Sequence, residues 1–154
     1  MILQRSPLLA DKVNVTLLRA LLDQPRISIS ELARVVAMSA PAVRERIQRL
    51  EEAGLICGYS VVLDPALLGY PVSVMIRIRP MPGQLAKIIE LAQRTPRIVE
   101  CQRITGEDCF IMRAHIESIG SLDGLLDAFL VFGQTTTSII QSSPVPFRAL
   151  PLGG

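Results

Sequence analysis

Two serine-led helix starts and a glycine stop, all between residues 26 and 63, restrict the fold of this chain more than any other stretch. Ser28 precedes Glu31 by three residues, the spacing of a capping box, in which the serine oxygen accepts an orphan backbone N–H and the carboxylate reaches back. A short helix over residues 29–36 follows. Ser39 is a second N-cap, and Pro41 fits the first turn, where a missing N–H has no intrahelical partner to lose. The helix that begins at about Ala40 ends at Gly54, the residue type suited to the left-handed position after a helix. Residues 55–63 alternate loosely and are expected to form the two strands of a hairpin. Short helix, tight turn, arginine-bearing helix and hairpin make the layout of a winged helix-turn-helix.

At about 100° per residue, Val43, Ile47 and Leu50 share one face of the longer helix, and Pro41, Glu45, Gln48 and Arg49 share the opposite one. Arg44 and Arg46 lie on the flanks. One face packs and the other is free to lie in a groove of double-stranded DNA. Guanidiniums on the flanks clamp phosphates, residues near the helix start reach base edges, and Gln48 and Arg49 suit bidentate contacts to adenine and guanine. The candidate DNA contacts are Arg26, Ser28, Ser39, Pro41, Arg44, Glu45, Arg46, Gln48 and Arg49. An ordinary surface helix carries solvated arginines too. The capped helix before it, the short turn and the expected hairpin decide between the two.

The motifs stand in register: Arg26-Ile27-Ser28, Glu31-Leu32-Ala33, Arg46 with Leu50-Glu51, Gly54-Leu55-Ile56, Gly58-Tyr59, Leu63-Asp64-Pro65 and Leu68-Gly69. In these the N-terminal half resembles the Lrp/AsnC (feast/famine) family of transcriptional regulators. One departure is Asn14, where the family usually has an acidic residue; it is expected to alter capping.

Composition sets outer limits. A chain of 154 residues, 49% hydrophobic, buries a core as one unit or two small ones, and two fit best, over residues 8–64 and 70–146. The net charge of +2 is modest, yet residues 26–49 hold five arginines against two glutamates. DNA affinity therefore comes from a local patch, multiplied by dimerisation, and falls steeply with salt. No apolar run reaches the roughly 18 residues of a membrane span and the start lacks a secretory pattern, so the expected setting is the cytoplasm, with no membrane partner. Cys57, Cys101 and Cys109 form no CxxC pair and are expected as small buried hydrophobes; no metal or cofactor is expected.

A first helix, residues 11–23, carries Val13, Leu17, Leu18, Leu21 and Leu22 on a broad apolar face and is ended by Pro25. Residues 1–9 are expected as a loose lead-in and 64–69 as a turn-rich hinge. From Tyr70 the period changes to two. Val72, Val74, Ile76 and Ile78 alternate with Ser73, Met75, Arg77 and Arg79, a half-buried strand closed by Pro80 and Pro82-Gly83. A helix over 84–94, with Leu85, Ile88, Ile89 and Ala92 inward, strands over 98–105 and 109–116, a helix over 121–129 and a strand over 135–142 complete β-α-β-β-α-β. That is the ferredoxin-like plan, so the fold class is α+β: a winged helix-turn-helix followed by a ferredoxin-like domain. Both helices cover one sheet face. The natural cover for the other is a second copy, which implies a homodimer.

This half is similar to the ligand-sensing domain of the same family, on Thr105-Gly106 with acids directly after and on the threonine-rich start of the last strand. The resemblance implies an effector site between dimers, hence an assembly of dimers, at Thr105, Gly106, Glu107, Asp108, Thr136 and Thr137. Glycine lets backbone approach a ligand, carboxylates receive an α-ammonium, and N–H groups with hydroxyls hold a carboxylate. An amino acid or its keto analogue suits that chemistry. The family form places an aspartate where this chain has Cys109, and a one-residue offset in a strand reverses a side chain's direction. Glu107 and Asp108 therefore serve either turn capping or effector contact, and Thr136 and Thr137 are either effector contacts or plain strand hydroxyls.

No enzyme is expected. Cys109 and the lone histidine, His115, lie about 20 Å apart along one strand, and no phosphate loop occurs. The alternative comes from the sirohaem decarboxylases, which resemble these regulators in both domains; the reader-helix residues Arg44, Arg46, Gln48 and Arg49 favour a regulator.

Overall fold

A computed structural model describes residues 6–152, and residues 1–5 of the expected lead-in lie outside it. The rest of that lead-in is ordered: Pro7–Ala10 form a 3-10 turn capped by Ser6. The chain divides into two compact units, one ending at Val61 and including the tail from Phe147, the other Val62–Pro146.

The first unit holds α1 (Lys12–Asp23), α2 (Ile29–Val35) and α3 (Ala40–Glu52). Side chains start each helix. Asp11 Oδ1 accepts from the Val13 N–H at 2.8 Å. At α2 the capping box is complete, with the Glu31 N–H donating to Ser28 Oγ at 3.2 Å and the Ser28 N–H to Glu31 Oε2 at 2.9 Å. Ser39 Oγ accepts from the Ala42 N–H at 3.4 Å. Caps of this kind each contribute about 1 kcal/mol. The helix stop at Gly54 has its glycine at φ 69°, with the Leu55 N–H on the Leu50 carbonyl at 3.0 Å and the Gly54 N–H on Glu51 at 2.9 Å. That is a Schellman closure.

Leu17, Leu32, Ala33, Val43 and Ile47 form one apolar cluster, and Leu50 is fully buried. Each of the leucine, isoleucine and valine side chains contributes roughly 1.5–3 kcal/mol, so α3 is held by packing and its polar face is left outward. On α1, Val15 is buried and Leu22 is half-exposed, because the inward stripe runs closer to the 14–18 positions than expected.

The expected hairpin is absent. Leu55 and Ile56 both donate to the Leu50 carbonyl and so belong to the end of α3. Residues 57–63 form no strand, and among the described residues no strand pairs with them. Val61 and Val62 are 83% and 91% exposed. A hairpin needs two facing runs, and the helix cap removes the first.

The second unit holds β1 (Val72–Pro80), α4 (Leu85–Arg94), β2 (Ile98–Arg103), β3 (Phe110–Ile116), α5 (Leu122–Leu130) and β4 (Gly133–Ile139). This is the expected β-α-β-β-α-β order, in one sheet arranged β2-β3-β1-β4 with every neighbouring pair antiparallel. Val74, Ile76, Ile78, Phe110, Met112, Ala114 and Ile116 point to the helices and join Ile88, Ala92, Leu125 and Phe129 in the core. Leu91, not Ile89, completes the inner face of α4; Ile89 is 38% exposed. The last strand starts and stops earlier than expected, because Gly133 is drawn into pairing with Pro80.

The cysteines are not core residues. Cys57 and Cys101 are exposed and Cys109 is half-buried. Cys57 lies in the segment after α3 and Cys101 on the edge strand β2, in an open cleft that Ile89, Ala92 and Gln93 of α4 also line; local burial pushes its thiol up, away from thiolate.

A methyl on Gly133 would lie 2.4 Å from the Arg79 carbonyl oxygen and 3.0 Å from Pro80 Cα. Relief requires β4 to move off β1, since both obstacles are backbone. Gly133→Ala is expected to cost about 1–3 kcal/mol, read as a lower urea midpoint, and an unchanged midpoint would contradict so close a strand approach.

Candidate DNA-reading and effector surfaces

On α3 the outward residues are those the helical period selects. Pro41, Arg44, Glu45, Gln48 and Arg49 are exposed, while Val43, Ile47 and Leu50 are buried. Arg49 pairs with Glu45 one turn back, and Gln48 donates to Glu52 Oε1 at 2.7 Å. Solvated pairs of this kind are each worth about 0.3–0.5 kcal/mol. A bidentate contact to a base is worth about 1–3 kcal/mol, several times what either pair contributes.

Ser28 and Ser39 are spent on capping, and Ser28 Oγ also donates to Glu31 Oε2 at 2.7 Å. Their contribution is to fix where α2 and α3 begin. Arg26 is exposed just ahead of α2.

Arg46 departs from the expected role. Its Nη1 donates to Asp11 Oδ2 at 2.5 Å and to Asn14 Oδ1 at 2.9 Å, tying α3 to α1. Asn14 is 5% exposed and its amide also donates to the Leu8 carbonyl at 3.1 Å. A phosphate would have to displace a half-shielded carboxylate from this guanidinium. In this structure Arg46 positions the reader helix, and Asn14 does cap the lead-in turn. The sequence offered a signal, the amide where an acid is usual, but the partner is more than thirty residues away.

A further hydrogen bond fastens the segment after α3. Tyr59 Oη donates to Glu51 Oε1 at 2.8 Å, and burial together with that carboxylate pushes the phenol up to about 12.

In the second unit, Thr105, Gly106, Glu107 and Asp108 form the β2–β3 turn, closed by the Ile104 N–H on the Cys109 carbonyl at 2.9 Å, with Gly106 at φ 110°. Glu107 pairs with Arg79 of β1. Asp108 lies 3.9 Å from the Nε atoms of both Arg77 and Arg79. Both acids thus turn toward the helix-free sheet face. Thr136 is the cross-strand neighbour of Arg77 on that face. Thr137 is not; opposite buried Ile76, it faces the helices, and its hydroxyl is buried without a hydrogen-bond partner. The structure therefore gathers the turn with Thr136, Arg77 and Arg79, and sends Thr137 to the other side.

His115 also lies on this face, its Nδ1 2.8 Å from Ser73 Oγ. Desolvation, then the Arg113 charge, lowers its pKa. Both effects favour the neutral imidazole. Among the described residues no cluster of metal-ligating side chains occurs, and no helix is long and apolar enough to cross a membrane.

A family model described as winged helix-turn-helix DNA-binding matches residues 11–56, and one described as Lrp/AsnC ligand binding domain matches residues 73–150. The chain is 29% identical to the HTH-type transcriptional regulator LrpC of Bacillus subtilis over 86% of its own length and 92% of that protein's. It is 33% identical to the leucine-responsive regulatory protein of Rhizobium meliloti over 72% and 73%. The solved structure of B. subtilis LrpC is similar with a TM-score of 0.81 at 28% identity, covering 86% of this chain and 95% of that one. The feast or famine regulatory protein of M. tuberculosis, complexed with L-methionine, gives 0.83 at 26% identity, covering 91% and 97%.

The Asp11 tie has a pH signature. The Arg46 hydrogen bond, then the Val13 N–H, holds this carboxyl below its ordinary value. A depressed folded pKa means the stabilisation is complete above the unfolded value near 3.9 and is lost as pH falls through the lower folded value. Asp11→Asn is expected to lower the melting temperature at neutral pH and to converge with the parent in acid; parallel curves would show that the pair contributes nothing.

Proposed function

The chain belongs to the Lrp/AsnC family of HTH-type transcriptional regulators, and from that premise we propose that it reads DNA through α3 as a homodimer, itself part of an assembly of dimers, and that an amino acid modulates this binding. The observation that carries the DNA half is α3 itself: capped at both ends, buried along Val43, Ile47 and Leu50, and presenting Arg44, Gln48 and Arg49 outward. Two copies of such a helix occupy successive major grooves about one helical turn apart on a roughly palindromic site. The reader spans residues 8–64 and the sensor residues 70–146.

The helix-free sheet face supports the dimer, since a second copy is the natural cover for it. The relative complexed with L-methionine supports an amino acid as the effector. The effector contacts are Thr105, Gly106, Glu107, Asp108 and Thr136; Thr137 is left out because it faces the core. An effector acts only through unequal affinity for two arrangements of the assembly. We read the protein as a non-enzymatic cytoplasmic regulator. Cys109 lies just before β3 and His115 near its far end, so a nucleophile and base do not meet within one subunit. Nothing observed favours a sirohaem-decarboxylase role.

The test is titration of the purified protein onto DNA upstream of its own gene and onto unrelated DNA, at two salt concentrations, with and without mixed amino acids. Specific, salt-sensitive binding that the mixture changes is expected. Arg49→Ala should cost about 1–3 kcal/mol and relax sequence preference. Binding that ignores sequence and is unchanged by Arg49→Ala would overturn the assignment of α3 as reader.

A further inference from the structure

Glu45 is the one acid between Ser39 and Leu50, and it sits at the centre of the face that α3 turns outward. It is two residues from both Val43 and Ile47, hence about 160° around the helix from each of these buried positions. Its side chain is 63% exposed, and its partner is Arg49, one turn further along and just as open. For a helix that lies among phosphates this is an unfavourable place for a carboxylate. The phosphate backbone repels it, and in the groove an ionised carboxylate is an acceptor with no donor to offer. The other acids of α3 lie in its last turn, where Glu51 takes the Tyr59 hydroxyl and Glu52 the Gln48 amide. Glu45 instead faces Arg49, another residue of the outward face.

We infer that Glu45 selects a cytosine in the major groove, while Arg49 takes the guanine paired with it. This rests on the reading that α3 lies in that groove. Of the four bases, cytosine alone presents a donor, its N4 amino group, with no acceptor on the same edge. Guanine presents two acceptors, O6 and N7, which suit a guanidinium fork. The groove edge of one C·G pair is therefore a donor beside acceptors, the complement of the carboxylate and guanidinium that Glu45 and Arg49 hold side by side. At any other base the carboxylate meets an acceptor: O4 of thymine, N7 of adenine, or both acceptors of guanine. There it loses hydration without gaining a partner, so Glu45 acts more by rejecting wrong bases than by attracting the right one. Its neutralisation has two effects of opposite sign. Affinity for DNA at large rises, because a charge that phosphates repel is gone, and discrimination at one base pair falls. A carboxylate that only braced Arg49 would not produce the second effect.

The experiment starts from a random-sequence library of double-stranded DNA, from which the full-length protein selects its preferred site. The parent, Glu45→Gln and a control are then titrated onto that site, onto each of its single-base-pair variants and onto unrelated DNA. Glu45→Gln keeps the size of the side chain and removes its charge; the control, Glu90→Gln, breaks the distant Glu90–Arg94 pair. The expected site holds a C·G pair in each half whose replacement weakens the parent about tenfold or more. Glu45→Gln is expected to lose that discrimination, to accept adenine there, which an amide reads bidentately, and to bind unrelated DNA more tightly, with preferences elsewhere unchanged. The control should match the parent. Discrimination at every position equal to the parent's would overturn the inference and leave α3 as the reader, with Glu45 only a helix partner of Arg49. A loss of preference spread evenly over the site would overturn it too, since that marks a loosened helix. A parent protein that selects no site would sink both this inference and the DNA reading.

Discussion

A period of two along β1 and β3 sorts the second unit into a side that holds it together and a side that is available to other molecules. Val74, Ile76 and Ile78 meet Phe110, Met112, Ala114 and Ile116 under α4 and α5, all of them buried. The intervening positions put Ser73, Arg77, Arg79, Arg113 and His115 on the opposite face. A shift of one residue would bury the guanidiniums and expose the isoleucines, so the register is specified as strongly as the core is worth. With two helices and four strands, this unit covers only one face of its own sheet. The other has its charges largely matched in sign, Arg79 to Glu107, Arg77 to Asp108 and Arg113 to Glu100.

The first unit answers a different constraint. A reader helix must be rigid while its outward side chains stay exchangeable. Rigidity comes from the buried stripe, the Ser39 cap, the Schellman closure at Gly54 and the Arg46 tie to Asp11 and Asn14. Exchangeability comes from Arg49 and Gln48, whose partners are solvated acids one turn away on the same helix. Interactions that fix the helix are burial and long-range pairing, and those that DNA would replace under the proposed reading are worth a few tenths of a kcal/mol each.

What the sequence made legible was local. Ser28 with Glu31, Ser39 with Pro41, Gly54, and the alternation from Val72 to Arg79 each act within a few residues, and each appears where residue chemistry puts it. What it concealed depends on distant partners. Arg46 reads as a flank arginine until α1 brings Asp11 beside it. Thr136 and Thr137 read as one site until pairing with β1 sends them to opposite faces. Arg77 and Arg79 read as the polar half of a strand until the β2–β3 turn lays two acids against them. The expected hairpin failed for a local reason, because the helix cap consumed Leu55 and Ile56. Buried cysteines failed because Cys57 lies outside any helix or strand and Cys101 lies on the edge strand, where both are exposed.

A sensor and a reader in one chain form a regulator only if binding at one is felt at the other, and that coupling must be reciprocal. The most direct test is the affinity of the protein for its amino-acid effector, measured by calorimetry first on the free protein and then on the protein saturated with its DNA site. The account predicts that the two affinities differ by the same factor by which the effector changes DNA affinity. Equal effector affinity in the presence and absence of DNA, with both ligands bound, would contradict it, leaving two independent binding units joined by a linker.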